Sequence, residues 1–282
     1  MYSTVPKNKV AFALYHRIRR AILRGETFRV YVCIPTFPAG NVNEITTRYI
    51  IKWVYKTINR KKTSLLQLLA AEFPHVALDE YISFYSLRTW DRTDACVGDE
   101  YLTEQVYIHS KLMIVDDLVA IIGSANINDR SMRGSRDSEL SVVIQDKLLV
   151  PNDMNGVSVL VGKAVLALRL RLWRSHLGLK AGEPDSLISD PVAARTYHGI
   201  WRHLADTNTS IYCDCFVGIP ENSRRLADYL HKAQPRDGAR LSDLAQSIKG
   251  LVVRFPNEFL IDETNSRTIF HKEYFIDTNV FV

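Results

Sequence analysis

The chain has 282 residues, 46% of them apolar and 24% charged, the balance of a soluble globular protein able to bury its core as one large domain or two small ones. No run of 18 or more apolar residues occurs, which excludes a spanning helix, and the opening MYSTVPKNKV lacks the apolar stretch of a secretory signal. A net charge of +5 fits contact with anionic phosphates or an anionic membrane surface, and equally a surface that is merely solubilising.

Taken in order, Val10, Leu14, Ile18 and Ile22 recur at helical spacing, with Arg17, Arg19, Arg20 and Arg24 on other faces. Gly25 should end this amphipathic helix. Residues 28–34 (FRVYVCI) read as a strand buried on both sides, and residues 35–40 as a loop. Asn43 can cap a helix running to Asn59; Arg60-Lys61-Lys62 then separates it from a second, opened by a Ser64-x-x-Gln67 capping box and closed near Phe73-Pro74. Residues 81–85 read as a strand. Residues 86–105 show no clear period and are expected to form a long loop carrying Trp90.

Residues 106–115 alternate as one strand, which would place His109 and Lys111 on one face, about 6.6–6.8 Å apart. Asp116-Asp117 reads as a tight hairpin turn, residues 118–122 as the returning strand, and Gly123-Ser124-Ala125-Asn126 as its exit. An imidazole, an ammonium, a hydroxyl and an amide converging on one point make a phosphate pocket. Lysine supplies a point charge, serine and asparagine neutral donors, and histidine can attack phosphorus or carry a proton. Asp116 lies seven residues from His109, too far at about 3.3 Å per residue to touch the same phosphate, and is expected to serve the turn and a salt bridge. A further strand, residues 139–145, presents Glu139, Ser141 and Val143 on one side.

Downstream, residues 163–177 form a helix with Val165, Leu168 and Leu172 inward and Gly178 as its cap. Residues 180–191 (KAGEPDSLISDP) are a connector. Beyond it short helices and strands lead to the apolar Phe275-Ile276 and Val280-Phe281-Val282, which should dock on the body. Cys33, Cys96, Cys213 and Cys215 form no CxxC or zinc spacing; Cys213 and Cys215 would share one side of a strand. A reducing, cytosolic setting without disulfides is expected.

The pattern His109-x-Lys111-x4-Asp116-x6-Gly123-Ser124-x-Asn126 resembles the HKD motif of the phospholipase D superfamily. Its continuation, Ile127-Asn128-Asp129-Arg130-Ser131 and Arg136-Asp137-Ser138-Glu139, is similar to the second HKD half of eukaryotic phosphatidylcholine-specific enzymes that carry PX and PH domains upstream. The likeness runs from about Asn8 to the end, through Leu172-Trp173, His176-Leu177-Gly178-Leu179 and Ser189-Asp190-Pro191. It implies an α/β fold, a mixed β-sheet flanked by helices over residues 1–178, with a C-terminal α+β extension, residues 179–282, packed on it.

The resemblance also implies a reaction without metal or cofactor, in which two HKD histidines share the work: one attacks phosphorus to give a phosphohistidine, and the other, here His109, protonates the departing alcohol. Lys111, Ser124 and Asn126 would hold the phosphate, Glu139 would accept a histidine N–H, and Phe37, in a loop bordering the site mouth, is a candidate acyl contact. The substrate would be phosphatidylcholine-like phospholipid at a membrane surface, giving phosphatidic acid, in a cytoplasmic, peripherally attached protein that binds no nucleic acid. One departure matters. His16, His75, His176, His198, His203, His231 and His271 all lack a lysine two residues on, so the chain carries a single HKD motif, and its start is unlike the strand preceding the family's first helix. It is therefore expected to be half of an enzyme, as a truncated gene product, a separate C-terminal chain or a self-associating half, needing a second half from an N-terminal partner or a second copy. The alternatives are a silent lipid- or partner-binding module and a homodimeric phosphodiesterase acting on DNA or cardiolipin precursors.

Overall fold

The computed structural model describes residues 7–38, 45–93, 100–222, 233–236 and 241–259. It is an α/β arrangement of small mixed sheets flanked by helices. Helix α1 (Val10–Arg24) ends on Gly25 at φ 61°, the left-handed cap expected of it. Strand β1 (Val30–Cys33) follows, then α2 (Ile45–Tyr55), a π-helical turn over Lys56–Arg60, α3 (Leu65–Glu72) and β2 (Ile82–Arg92). β1 and β2 run parallel, Val30 against Ile82, with the helices as crossover.

β2 organises the main sheet because its alternation is buried on both faces. Ile82 and Phe84 join Ile18, Ile51, Tyr55, Leu69, Phe255 and Phe259 under α1 to α3. Tyr85 and Leu87, on the opposite face, join Trp173, Leu177, Ile188, Trp201 and Ala205. The far half of β2 pairs antiparallel with β3 (Tyr101–Gln105), Arg88 against Gln105.

Five strands and two helices then build the motif region: β4 (Lys111–Val115), β5 (Val119–Gly123), α4 (Asp129–Met132), β6 (Ser141–Gln145), the β7–β8 hairpin (Leu149–Met154, Val157–Gly162) and α5 (Lys163–Leu177). β4, β5 and β6 form their own antiparallel sheet. A π-helical stretch over Arg195–Arg202 leads into α6 (His203–Cys215), followed by β9 (Phe216–Val217), β10 (Gln234–Pro235), α7 (Leu241–Ser247) and β11 (Val252–Arg254). β11 returns to pair with β2, Val252 against Leu87. Among the described residues no helix is long and apolar enough to cross a membrane.

Several local expectations are corrected. Residues 86–105 are not a loop through their length: β2 runs on to Arg92, and β3 returns along it. Trp90 packs on Tyr101, ring centroids 6.0 Å apart, beside the core around Tyr212 and Phe216. β1 is half-buried rather than enclosed. Ser64 makes no capping bond, and Gln67 instead donates to Asn59 Oδ1 at 3.0 Å. The buried stripe of α5 is Val165, Arg169, Trp173 and Leu177, with Leu168 and Leu172 half-buried. Cys213 and Cys215 lie on α6, not on a strand; Cys33, Cys213 and Cys215 are in no disulfide, and burial pushes the Cys33 thiol up to about 12. Asn43, Cys96, His231, His271 and the apolar C-terminus lie outside the described residues.

Candidate active site

The motif is folded back on itself by its turn. Asp116 and Asp117 both take left-handed φ values, 51° and 53°, a conformation aspartate tolerates better than most residues. The Leu118 N–H closes the turn on Val115 O at 3.0 Å. The register this sets places Lys111 opposite Gly123, and Gly123 opposite Ser141. The two ends of the motif are thereby brought together by strand pairing.

The strand begins later than its alternation suggests. Val106 still pairs with the main sheet, its N–H on Leu87 O at 2.8 Å, but β4 starts at Lys111, so His109 stands on the lead-in and not on the strand. Its ring is exposed and stacks near Tyr107, centroids 6.1 Å apart. Lys111 Nζ donates to the His109 carbonyl oxygen at 2.6 Å, so the two residues are joined through the backbone of one and the side chain of the other.

Across from them Ser124 works in both directions. Its N–H donates to Leu140 O at 3.0 Å, and its Oγ accepts the Leu140 N–H at 3.0 Å. Its hydroxyl donates to Glu139 Oε2 at 2.5 Å. A serine has one proton to give, and here it goes to Glu139. That bond, then one from Ser131, with the Lys111 charge contributing less, holds the Glu139 carboxyl below the usual range. Among the described residues the hydrogen bonds to Glu139 come from Ser124 and Ser131. Asn126 is exposed, and its backbone N–H donates to Ser131 Oγ at 3.1 Å.

The loop beyond is tied down at three points. The Asn128 side chain caps α4 by accepting the Ser131 N–H at 3.0 Å. Arg130 forks onto Asp137 at 2.8 and 3.1 Å. The buried Asp129 accepts the Lys7 and Asn8 N–H groups and Asn8 Nδ2, at 2.7, 2.8 and 2.7 Å. Burial would raise its pKa, but these bonds outweigh it and hold the carboxyl low.

Asp116 is exposed and carries no ion pair among the described residues; the salt bridge expected of it belongs to Asp117. Asp117 meets Arg169 of α5 through two bonds of 2.7 Å, with side-chain exposures of 1% and 5%. The sequence held the signal: Arg169 sits four residues from both Val165 and Trp173 on a buried stripe, where a cation must have a partner. Phe37, the candidate acyl contact, is half-buried, with its ring edge-on to Phe259 at 5.4 Å and its backbone joined to the Gln105 side chain.

The HKD hairpin, its GSxN exit and the downstream Glu139 thus stand at one end of the motif sheet. The family description Phospholipase D matches residues 3–230. "Phospholipase D B" of Dictyostelium discoideum is 43% identical over 99% of this chain and 23% of its own length. "Phospholipase D zeta 2" of Arabidopsis thaliana is 39% identical over 97% of this chain and 28% of its own. "Phospholipase D1" of Homo sapiens is 36% identical over 97% of this chain and 26% of its own. The chain belongs to the phospholipase D family, and it spans about a quarter of the length of these curated relatives.

Proposed function

We propose that this chain supplies one half of a phospholipase D active site, hydrolysing phosphatidylcholine-like phospholipids to phosphatidic acid at a membrane surface. The observation that supports this is the register of the motif sheet, which sets Lys111, bonded to the His109 carbonyl, opposite Gly123, next to the bonded Ser124–Glu139 pair.

In this reading a histidine of the second half attacks phosphorus, forming a P–N bond as the P–O bond to the head group breaks. His109 gives its proton to the departing alkoxide, whose charge would otherwise build up. Lys111 and Asn126 hold the equatorial oxygens, and Ser124 joins them by turning its hydroxyl from Glu139 to the anion. Water, or a primary alcohol, then attacks phosphorus and loses its proton to His109 while the P–N bond breaks. Glu139, held ionised, steadies the cationic ends of the site. Asp116 takes part through the turn alone. The setting is cytoplasmic, with peripheral attachment to the membrane.

The need for a second half is supported by the motif sheet itself, whose two faces are largely uncovered. The experiment assays phosphatidic acid release from phosphatidylcholine with and without a co-expressed N-terminal HKD half, with ethanol added, and weighs each species by light scattering. Activity and phosphatidylethanol are expected only from the two-half assembly, and His109→Asn should abolish both. Full activity from a 32.2 kDa monomer would overturn the two-histidine reading. Full activity from a dimer of this chain would replace the partner half by a second copy. Lipid binding without turnover in every assembly would leave a silent module.

A further inference from the structure

We propose that the buried Asp117–Arg169 pair is the positioning device of the site: it sets where the motif hairpin stands, and through it where Lys111 and His109 stand, from the far end of the strand. The kinetic part of this inference rests on the function proposed above; the structural part does not.

Most elements of the protein are placed by burying a face, and the motif sheet is not. Along β4, β5 and β6 the one buried side chain is Ala120. Leu112, Ile122 and Val142 are exposed on one face, and Met113, Ile121 and Val143 on the other. Apolar packing is what normally fixes a strand's position and register, so here something else must.

The turn end supplies it. Arg169 directs its planar fork in four directions at once: two bonds to the Asp117 carboxylate, one to Ile188 O and one to Ser189 O, each of 2.7 Å. The guanidinium also lies over the Trp173 ring, 4.7 Å from its centroid. Asp117 adds its carbonyl, which accepts the Gly162 N–H at 2.9 Å just ahead of α5. The hairpin turn, the start of α5 and the connector at residues 188–189 thus meet on one buried ion pair. Guanidinium and carboxylate match in a single plane, so the contact fixes direction as well as distance.

Lys111 stands six residues from this pivot, roughly 20 Å along the strand. A tilt of about 3° at the pivot moves it by about 1 Å over that length. Displacements of that size, caused far from the chemistry, cost about 10²-fold in rate.

The test uses Asp117→Asn and Arg169→Gln, singly and together, in the two-half assembly, with active sites counted by trapping the phosphohistidine. Each single variant is expected to lower kcat per active site by about 10²-fold, with KM for a short-chain phosphatidylcholine unchanged. The double variant should lose no more than either single one, since all three remove the same contact. Leu177→Ala, which weakens the same helix at its other end, should lower the melting temperature and leave kcat per site alone. In parallel, amide hydrogen exchange on the 282-residue chain should quicken at residues 111–115 and 119–123 in Asp117→Asn, and not in Leu177→Ala. Losses that track only the folded fraction, additive losses in the double variant, or exchange that quickens uniformly would overturn the proposal. An inactive wild-type assembly would sink the functional reading, and the exchange pattern would still decide for or against the clamp.

Discussion

Gly123 shows how closely the site is built at the scale of one residue. Its backbone is not left-handed, so freedom of φ is not what it provides. It allows two strands to approach: a Cβ there would stand 2.6 Å from Leu140 O and 2.7 Å from Ser141 Cα, and closer still to Ser141 Oγ. These atoms border the Ser124–Leu140 bonds and the Ser124–Glu139 contact. Gly123→Ala should therefore push β6 outward, costing about 1–3 kcal/mol by urea unfolding and a much larger fraction of activity than of stability. An unchanged urea midpoint with normal turnover would mean that the approach is looser than it stands here. The motif residues were legible one by one, because their spacing encodes their chemistry. The partner each one takes was not: Ser124 on Glu139, and Asp117 rather than its neighbour on Arg169, are long-range pairings that no local pattern contains.

At the scale of elements, legibility followed periodicity. Helix α5 has the residue bounds its sequence announced, since Gly178 closes it and the helical spacing of Val165 and the residues beyond it is unbroken. The second half of β2 has no apolar period to announce it because Arg88, Thr89, Asp91 and Arg92 are polar; Arg88 is nonetheless buried and donates to Thr103 Oγ1 at 3.1 Å, a partner on another strand. Residues 106–110 erred the other way, alternating like a strand while the motif sheet starts at Lys111. The connector after α5 holds a feature with a pH consequence. Asp190 is buried and accepts the N–H groups of Asn155, Gly156, Val192 and Ala193 at 2.8–3.0 Å, fastening the β7–β8 turn to the chain leading into α6. Burial pushes its pKa up, but the four bonds more than reverse this, so the folded value lies below the unfolded one. The unfolded chain then binds the proton more readily. The stabilisation is whole above pH ~4, the unfolded value, and is lost as pH falls through the folded value. Asp190→Asn should cost about 1.5–3 kcal/mol at neutral pH and flatten the acid limb of stability, as read from thermal melts between pH 3 and 7. Parallel acid limbs in the two proteins would contradict the assignment.

At the scale of the whole molecule, cover is distributed unevenly. The main sheet has apolar cores on both sides, while Leu140 is 78% exposed and Val142 and Val143 are 56% and 60% exposed beside the site. Exposed apolar area of this kind marks an interaction face. The chain by itself should bind a hydrophobic dye strongly and associate as concentration rises, and a co-expressed second half should suppress both. Dye binding that persists in a stable two-half complex would show that the partner covers something else. The Asp129 contact carries a different consequence, one of timing. The residues leading into α1 are held by a carboxylate 121 and 122 positions further on. At synthesis rates of ~5–20 residues per second, the chain's earliest described segment waits roughly 6–24 s for its anchor to be made. Helix α1 is thus completed by a loop translated after β5, and the two reach their final places together.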